Sequence, residues 1–119
     1  MSKKLDEEKS QNRPWGYWEV LDLGTSQNGM TFKVKKLIIH PRQQISYQYH
    51  NHRSETWVIV SGTAQVHNND KSFVVHAGDN FTFEKKEKHK VMNVSETENL
   101  IAIEVQYGSL VSETDIVRI

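Results

Sequence analysis

After Asn12 the chain sustains no helical repeat, and turn-forming residues cut it at short intervals. Asn28-Gly29, Pro41, Gly62, Asn68-Asn69-Asp70 and Ala77-Gly78-Asp79 supply the breaks. Glycine and asparagine reach left-handed backbone at low cost, and proline cannot continue a ladder. Between the breaks lie segments rich in β-branched and aromatic residues. They are Trp15 to Leu21, Met30 to His40, Ile45 to Tyr49, Thr56 to Val60, Thr63 to His67, Ser72 to His76, Phe81 to Phe83, His89 to Val94 and Asn99 to Tyr107. Within Met30 to His40 the alternation starts at Phe32 and Val34. Only Ser112 to Ile116 admits a short helical turn. Many short strands at regular spacing predict an all-β sandwich or barrel.

A chain of 119 residues suffices for one domain with a modest core. Residues 1–12 (MSKKLDEEKSQN) are charged and nearly devoid of apolar side chains, which predicts a flexible tail, with a fraying helical turn near Leu5 to Lys9. The ordered domain is expected over residues 13–119, anchored by Trp15, Tyr17 or Trp18.

The 15 basic and 15 acidic residues cancel, which argues against a nucleic-acid partner held by bulk charge. Local phosphate sites need only a few placed cations and stay open. With no cysteine, disulfides and thiolate metal sites are excluded, leaving His, Glu, Asp and Gln as ligands. No apolar run reaches membrane-spanning length and no hydrophobic leader opens the chain, so the expectation is a cytoplasmic protein with no membrane partner.

Two stretches carry the chemistry. The first reads Gln48-Tyr49-His50-Asn51-His52-Arg53-Ser54-Glu55 and closes at Gly62; the second runs from Gly78 through His89 to Asn93. Side chains alternate faces along a strand, so Gln48, His50 and His52 are expected on one face. Glu55 and His89 can join them from neighbouring strands, giving a site for a divalent ion. The same residues also suit a metal-free barrel lined by histidines, with Glu55 in a salt bridge to Arg53 or a neighbouring lysine. His40, His67 and His76 read as structural or surface residues. Trp15, Trp18 and Trp57 read as core or interface residues, and Glu84 to Lys88 as a solvated loop.

These motifs resemble those of the cupin superfamily, with Gln48 and His50 in the paired-histidine places and Glu55, Gly62, Gly78, His89 and Asn93 at the matching spacings. Arg42, Glu84 and Lys86 depart from the usual Gly, Pro and Gly. The chain is more closely similar to the type II mannose-6-phosphate isomerase domain, which forms the C-terminal part of bifunctional guanylyltransferase/isomerases. The matching pieces are Arg13-Pro-Trp-Gly16, Lys33-Val-Lys-Lys36, Ser46-Tyr-Gln-Tyr-His50, His52-Arg-Ser-Glu55 with Trp57, Val60-Ser-Gly-Thr-Ala64, Ile103-Glu-Val-Gln106 and Asp115-Ile-Val-Arg118. The family usually has His in place of Asn51 and often in place of Thr56.

The resemblance implies a single-domain cupin (double-stranded β-helix, or jelly-roll) barrel. It also implies metal-dependent interconversion of mannose 6-phosphate and fructose 6-phosphate, and a homodimer. Such chemistry needs a cation for the carbonyl, a base of near-neutral pKa and a clamp for the phosphate. The expected metal ligands are Gln48, His50, Glu55 and His89, with zinc ahead of manganese, cobalt, nickel or iron. His52 is the first choice for the base and Glu104 the second. Arg53 and Arg118, then Lys36 and Arg13, are the expected phosphate contacts. The rival readings are a non-catalytic sugar-phosphate-binding cupin and an iron-dependent cupin dioxygenase.

Overall fold

The computed structural model describes residues 9–119. The helical turn expected near Leu5 and most of the expected tail lie outside them. Among the described residues eleven strands follow in chain order: β1 (Ser10–Arg13), β2 (Gly16–Thr25), β3 (Thr31–Ile39), β4 (Gln48–Tyr49), β5 (Arg53–Ser61), β6 (Thr63–Asn68), β7 (Lys71–His76), β8 (Asn80–Phe83), β9 (His89–Asn93), β10 (Leu100–Gly108) and β11 (Val117–Arg118).

They form two antiparallel sheets, ordered β1-β2-β3-β10-β5-β8 and β11-β4-β9-β6-β7. The molecule is therefore a two-sheet jelly roll. Strands distant in sequence lie side by side, as when β10 inserts between β3 and β5. No described helix is long and apolar enough to cross a membrane.

Two expectations change and one short strand is new. Ser10 to Asn12, expected in the tail, pair with β2 as part of β1. Ser112 to Ile116 forms a turn, closed by Asp115 N–H donating to the Ser112 carbonyl. Val117 and Arg118 then add β11 to the edge of β4, too short a pairing to leave a periodic signal.

The core lies between the sheets. Trp18, Leu37, Ile39, Trp57, Ile59 and Leu100 of one sheet pack with Ala64, Val66, Val75 and Val91 of the other. On β3 the inward residues are Thr31, Lys33, Lys35, Leu37 and Ile39, while Phe32 and Val34 face outward and are half-buried. Inward side chains align across β3, β10 and β5 in transverse rows. Leu37, Ala102 and Ile59 form an apolar row; Lys35, Glu104 and Trp57 form the next; Lys33, Gln106 and Glu55 form the third. The interior is thus apolar at one end and charged at the other.

Two of the motif departures sit in turns that the fold bends into left-handed backbone, with φ of 64° at Arg42 and 66° at Lys86. A side chain there meets its own carbonyl, at a cost of about 1–2 kcal/mol. The Lys86 turn is fixed because its N–H donates to the His50 carbonyl at 2.7 Å. Lys86→Gly removes the strain and gives back part of the gain as unfolded-state entropy. We expect it to stabilise the domain by about 0.5–1 kcal/mol, read from the urea midpoint at unchanged m-value.

Candidate metal centre and cavity

β4 ends after Tyr49 because the chain turns a corner there. The Asp115 carboxylate accepts the N–H groups of Asn51 (3.0 Å) and His52 (2.9 Å). That corner breaks the strand alternation. His50 stays inside while Asn51 and His52 turn out to solvent. The expectation of His52 on the ligand face fails for this reason, and with it the case for His52 as base.

Past the corner, β5 carries Glu55 inward, and His89 enters from β9, where it lies opposite Gln48. The ligating atoms of His50, Glu55 and His89 all fall within 4.8 Å of one another, and all three residues are buried. Glu55 Oε2 is 3.0 Å from His50 Nε2, and Oε1 is 3.6 Å from His89 Nε2. Gln48 Nε2 lies 3.3 Å from His50 Nε2. A half-turn of that amide presents its oxygen to the centre and its nitrogen to Ser46 Oγ, which now donates to Gln48 Oε1 at 2.7 Å.

Both imidazoles are oriented from behind. His50 Nδ1 lies 2.6 Å from the Asp115 carbonyl, and His89 Nδ1 lies 2.9 Å from the Glu87 carbonyl. A carbonyl only accepts, so each Nδ1 carries a proton and each ring points its Nε2 at the centre. His50 Nε2 then faces a carboxylate oxygen, an arrangement that calls for a cation or a proton between them. His89 Nε2 is buried with no hydrogen-bond partner, and Phe83 stacks on its ring with centroids 4.1 Å apart. Burial lowers the His89 pKa against the pull of Glu55, which keeps the ring neutral. Two imidazoles, a carboxylate and an amide suit zinc or another first-row divalent ion, so the residues fit the expected group.

Arg53 is buried and committed to Glu55. Its Nε and Nη2 donate to Glu55 Oε2 at 3.1 and 3.0 Å, and Nη1 donates to the Ser112 carbonyl at 2.9 Å. Trp57 Nε1 donates to the other Glu55 oxygen at 3.1 Å. Burial works against the Glu55 charge, but Arg53 and then the hydrogen bond with His50 outweigh it, holding the carboxyl well below the usual range. Arg53 therefore positions a ligand and also lines the adjacent cavity, where the sequence leads us to expect a phosphate contact.

A cavity of about 470 Å³ opens beside this centre, lined in part by Gln48, Glu55, Glu104, Gln106, Lys35 and Glu113, a volume typical of small-molecule sites. Arg13 and Arg118 line it as expected. Lys36 does not, because it occupies the outward register of β3; Lys33 and Lys35 face inward in its stead. Asn51 is exposed, and Thr56 is hydrogen-bonded to Thr82 on the outward face at 2.9 Å. Neither departure from the usual histidines touches the cavity.

Glu104, the second choice for the base, is 3% exposed. Burial first, and the neighbouring Glu55 charge second, push its carboxyl well above the usual carboxylate range, against the pull of Lys35 and Arg53. Sequence reasoning missed Lys33, Lys35, Gln106 and Glu113. Strict alternation from Glu104 along β10 gives Gln106, and the apolar Phe32–Val34 face hides the inward lysines.

The chain matches the model of the mannose-6-phosphate isomerase C-terminal family over residues 2–119. It is 37% identical over 107 residues to the alginate biosynthesis protein AlgA of Pseudomonas aeruginosa, covering 90% of this chain and 21% of that protein. It is 36% identical over 106 residues to mannose-1-phosphate guanylyltransferase 2 of Escherichia coli O157:H7, covering 89% and 21%. The chain thus spans about a fifth of the length of these relatives. Among solved structures it resembles a double-stranded β-helix protein of Klebsiella pneumoniae (TM-score 0.70, 21% identity, 99% and 94% covered). It also resembles oxalate decarboxylase of Bacillus subtilis (TM-score 0.75, 18% identity, 92% and 29% covered). At these identities the likeness establishes the fold, the cupin jelly roll.

Elemental analysis of the purified protein should find one divalent transition-metal ion per chain, absent from His50→Ala and Glu55→Ala. In the metal-free state Glu55→Ala should also destabilise the fold by about 3–5 kcal/mol, because it leaves the buried Arg53 without its counter-charge. Denaturant titration in chelator measures that loss.

Proposed function

Since the chain belongs to the mannose-6-phosphate isomerase C-terminal family, we propose that its cavity interconverts mannose 6-phosphate and fructose 6-phosphate. The observation that carries this reading is Glu104, a buried carboxyl of raised pKa lining the cavity beside the His50–Glu55–His89 cluster.

Aldose–ketose isomerisation moves one proton between adjacent carbons and another between their oxygens, with no net change of oxidation state. Glu104, as carboxylate, takes the proton from C2 of the open-chain aldose; the C2–H electrons form the carbon–carbon double bond of an enediolate as the carbonyl pair moves onto O1. The same carboxyl returns its proton to C1 while the hydroxyl proton passes from O2 to O1, leaving the carbonyl at C2. A base that gives back what it takes works best with its pKa near the working pH, and burial moves Glu104 in that direction.

A divalent ion held by Gln48, His50, Glu55 and His89 would supply polarisation of the carbonyl and stabilisation of the oxyanion. Around it, Arg53 and Trp57 fix the Glu55 carboxylate, and the Asp115 and Glu87 carbonyls fix the rings. Gln106 is fully buried with neither amide atom hydrogen-bonded, and it lines the cavity. Its amide is placed to hold substrate hydroxyls. Arg13 and Arg118 add positive charge that draws in a dianionic sugar phosphate. The homodimer and cytoplasmic setting expected from the sequence belong to the same proposal.

Formation of fructose 6-phosphate from mannose 6-phosphate tests it. Turnover should depend on added divalent metal and vanish with chelator. Glu104→Gln should lower kcat by about 10²-fold or more, whereas His52→Ala should leave it unchanged. Sugar-phosphate binding without turnover under any metal would identify a binding module, and oxygen uptake would identify a dioxygenase.

A further inference from the structure

At the part of the cavity wall formed by Lys35 and Glu113, two lysines converge on one carboxylate. Lys33 Nζ lies 3.1 Å from Glu113 Oε2, and Lys35 Nζ lies 3.0 Å from Glu113 Oε1. The lysine side chains are 2% and 6% exposed, while that of Glu113 is 31% exposed. We propose that Lys33 and Lys35 are the seat for the phosphate group of the substrate, and that Glu113 occupies the seat until the substrate displaces it. This rests on the sugar-phosphate reading above and assigns the anionic end of that substrate to residues outside the metal centre.

Buried ammonium groups need a facing anion, because desolvation is costly without one. A carboxylate with one oxygen on each lysine reproduces two of the three terminal oxygens of a phosphate monoester, which share its negative charge. Exchanging one for the other keeps the lysines paired throughout, and the dianion gives them the stronger partner. Lys35 cannot readily leave, since its Nζ also lies 3.9 Å from the centroid of the Trp18 ring. Glu113 can leave. It sits in a turn outside the strand ladders, between the buried Val111 and Asp115, so a rotation of its side chain takes the carboxylate toward solvent while the backbone stays anchored.

The sheet register sets the distance from the seat to the chemistry. Lys33 pairs with Gln106, and Gln106 pairs with Glu55. Two strand spacings, about 10 Å of backbone, thus separate Lys33 from Glu55. That is the scale of a six-carbon chain with a phosphate at one end and a carbonyl at the other. The unpartnered Gln106 amide lies midway, an independent sign that a polar ligand belongs between seat and centre.

Calorimetric titration with inorganic phosphate at fixed ionic strength tests the seat without requiring turnover. Glu113→Gln keeps the side-chain volume and removes the competing charge. It should bind phosphate about tenfold tighter than the unaltered protein, and Lys35→Met should bind it at least about tenfold more weakly. Unchanged or weaker binding by Glu113→Gln overturns the seat, and does so even where Lys35→Met fails to fold. Abolition by Arg13→Ala or Arg118→Ala, with Lys35→Met unaffected, would place the phosphate at the mouth and also overturn it. Phosphate has no carbonyl to isomerise, so tightening in Glu113→Gln supports the seat even in a protein that turns over no sugar. Turnover with phosphate binding indifferent to Glu113 and Lys35 sinks the seat and leaves the isomerase reading standing.

Discussion

Glu55 holds a negative charge in the interior of the molecule at 1% exposure, and its surroundings are arranged to keep it there. Arg53 gives it two hydrogen bonds, Trp57 a third, and the two imidazoles face its oxygens. The residues that stabilise the carboxylate are the ones that aim it. A ligand that could swing would define no centre, and a buried charge without partners would not stay ionised. Stability and site geometry are one arrangement at this point, so Arg53 serves the site by holding Glu55.

A similar coupling runs along the sheet. Rows of inward side chains pass from apolar (Leu37, Ala102, Ile59) to charged (Lys33, Gln106, Glu55) within the length of one set of strands. The apolar end supplies the burial that stabilises the fold, and it is continuous with the core of the opposite sheet. The charged end offsets part of that stability, and long strands spanning both regions hold it in register. Slipping β10 by one residue would turn Glu104 and Gln106 outward and bring Val105 and Ile103 in. The apolar half of each strand fixes the register that the polar half depends on.

That division explains what can be read from the sequence. Gly62 and the Asn28-Gly29 turn need only local backbone preferences, and nearly every strand between such breaks appears where the pattern puts it. His50, Glu55 and His89 are legible because their spacing relative to turns fixes their faces. His52 is misplaced by alternation because alternation holds only while a strand lasts, and the strand ends for a reason 63 positions away, at the Asp115 carboxylate. Lys36 and Lys35 look alike in the sequence until the register is known. The outward apolar Phe32 and Val34 invite the opposite reading, since an apolar face is ordinarily the core face.

Much of this traces to a segment with almost no regular structure. Between β10 and β11 the chain supplies the Ser112 carbonyl to Arg53, the Glu113 carboxylate to two lysines, the Asp115 carboxylate to the corner before β5 and the Asp115 carbonyl to His50. Its neighbouring residues differ in freedom. Asp115 is 7% exposed and locked by four hydrogen bonds, one of which orients His50, whereas Glu113 reaches solvent along one side. An irregular segment can alternate fixed and movable residues at this spacing, because no ladder forces its side chains to act together. A strand in the same place would orient His50 equally well, but its flanking pairs would tie Glu113 to the sheet. Loop structure here permits one residue to hold the candidate metal centre still while the other, under the proposal, yields to an incoming anion.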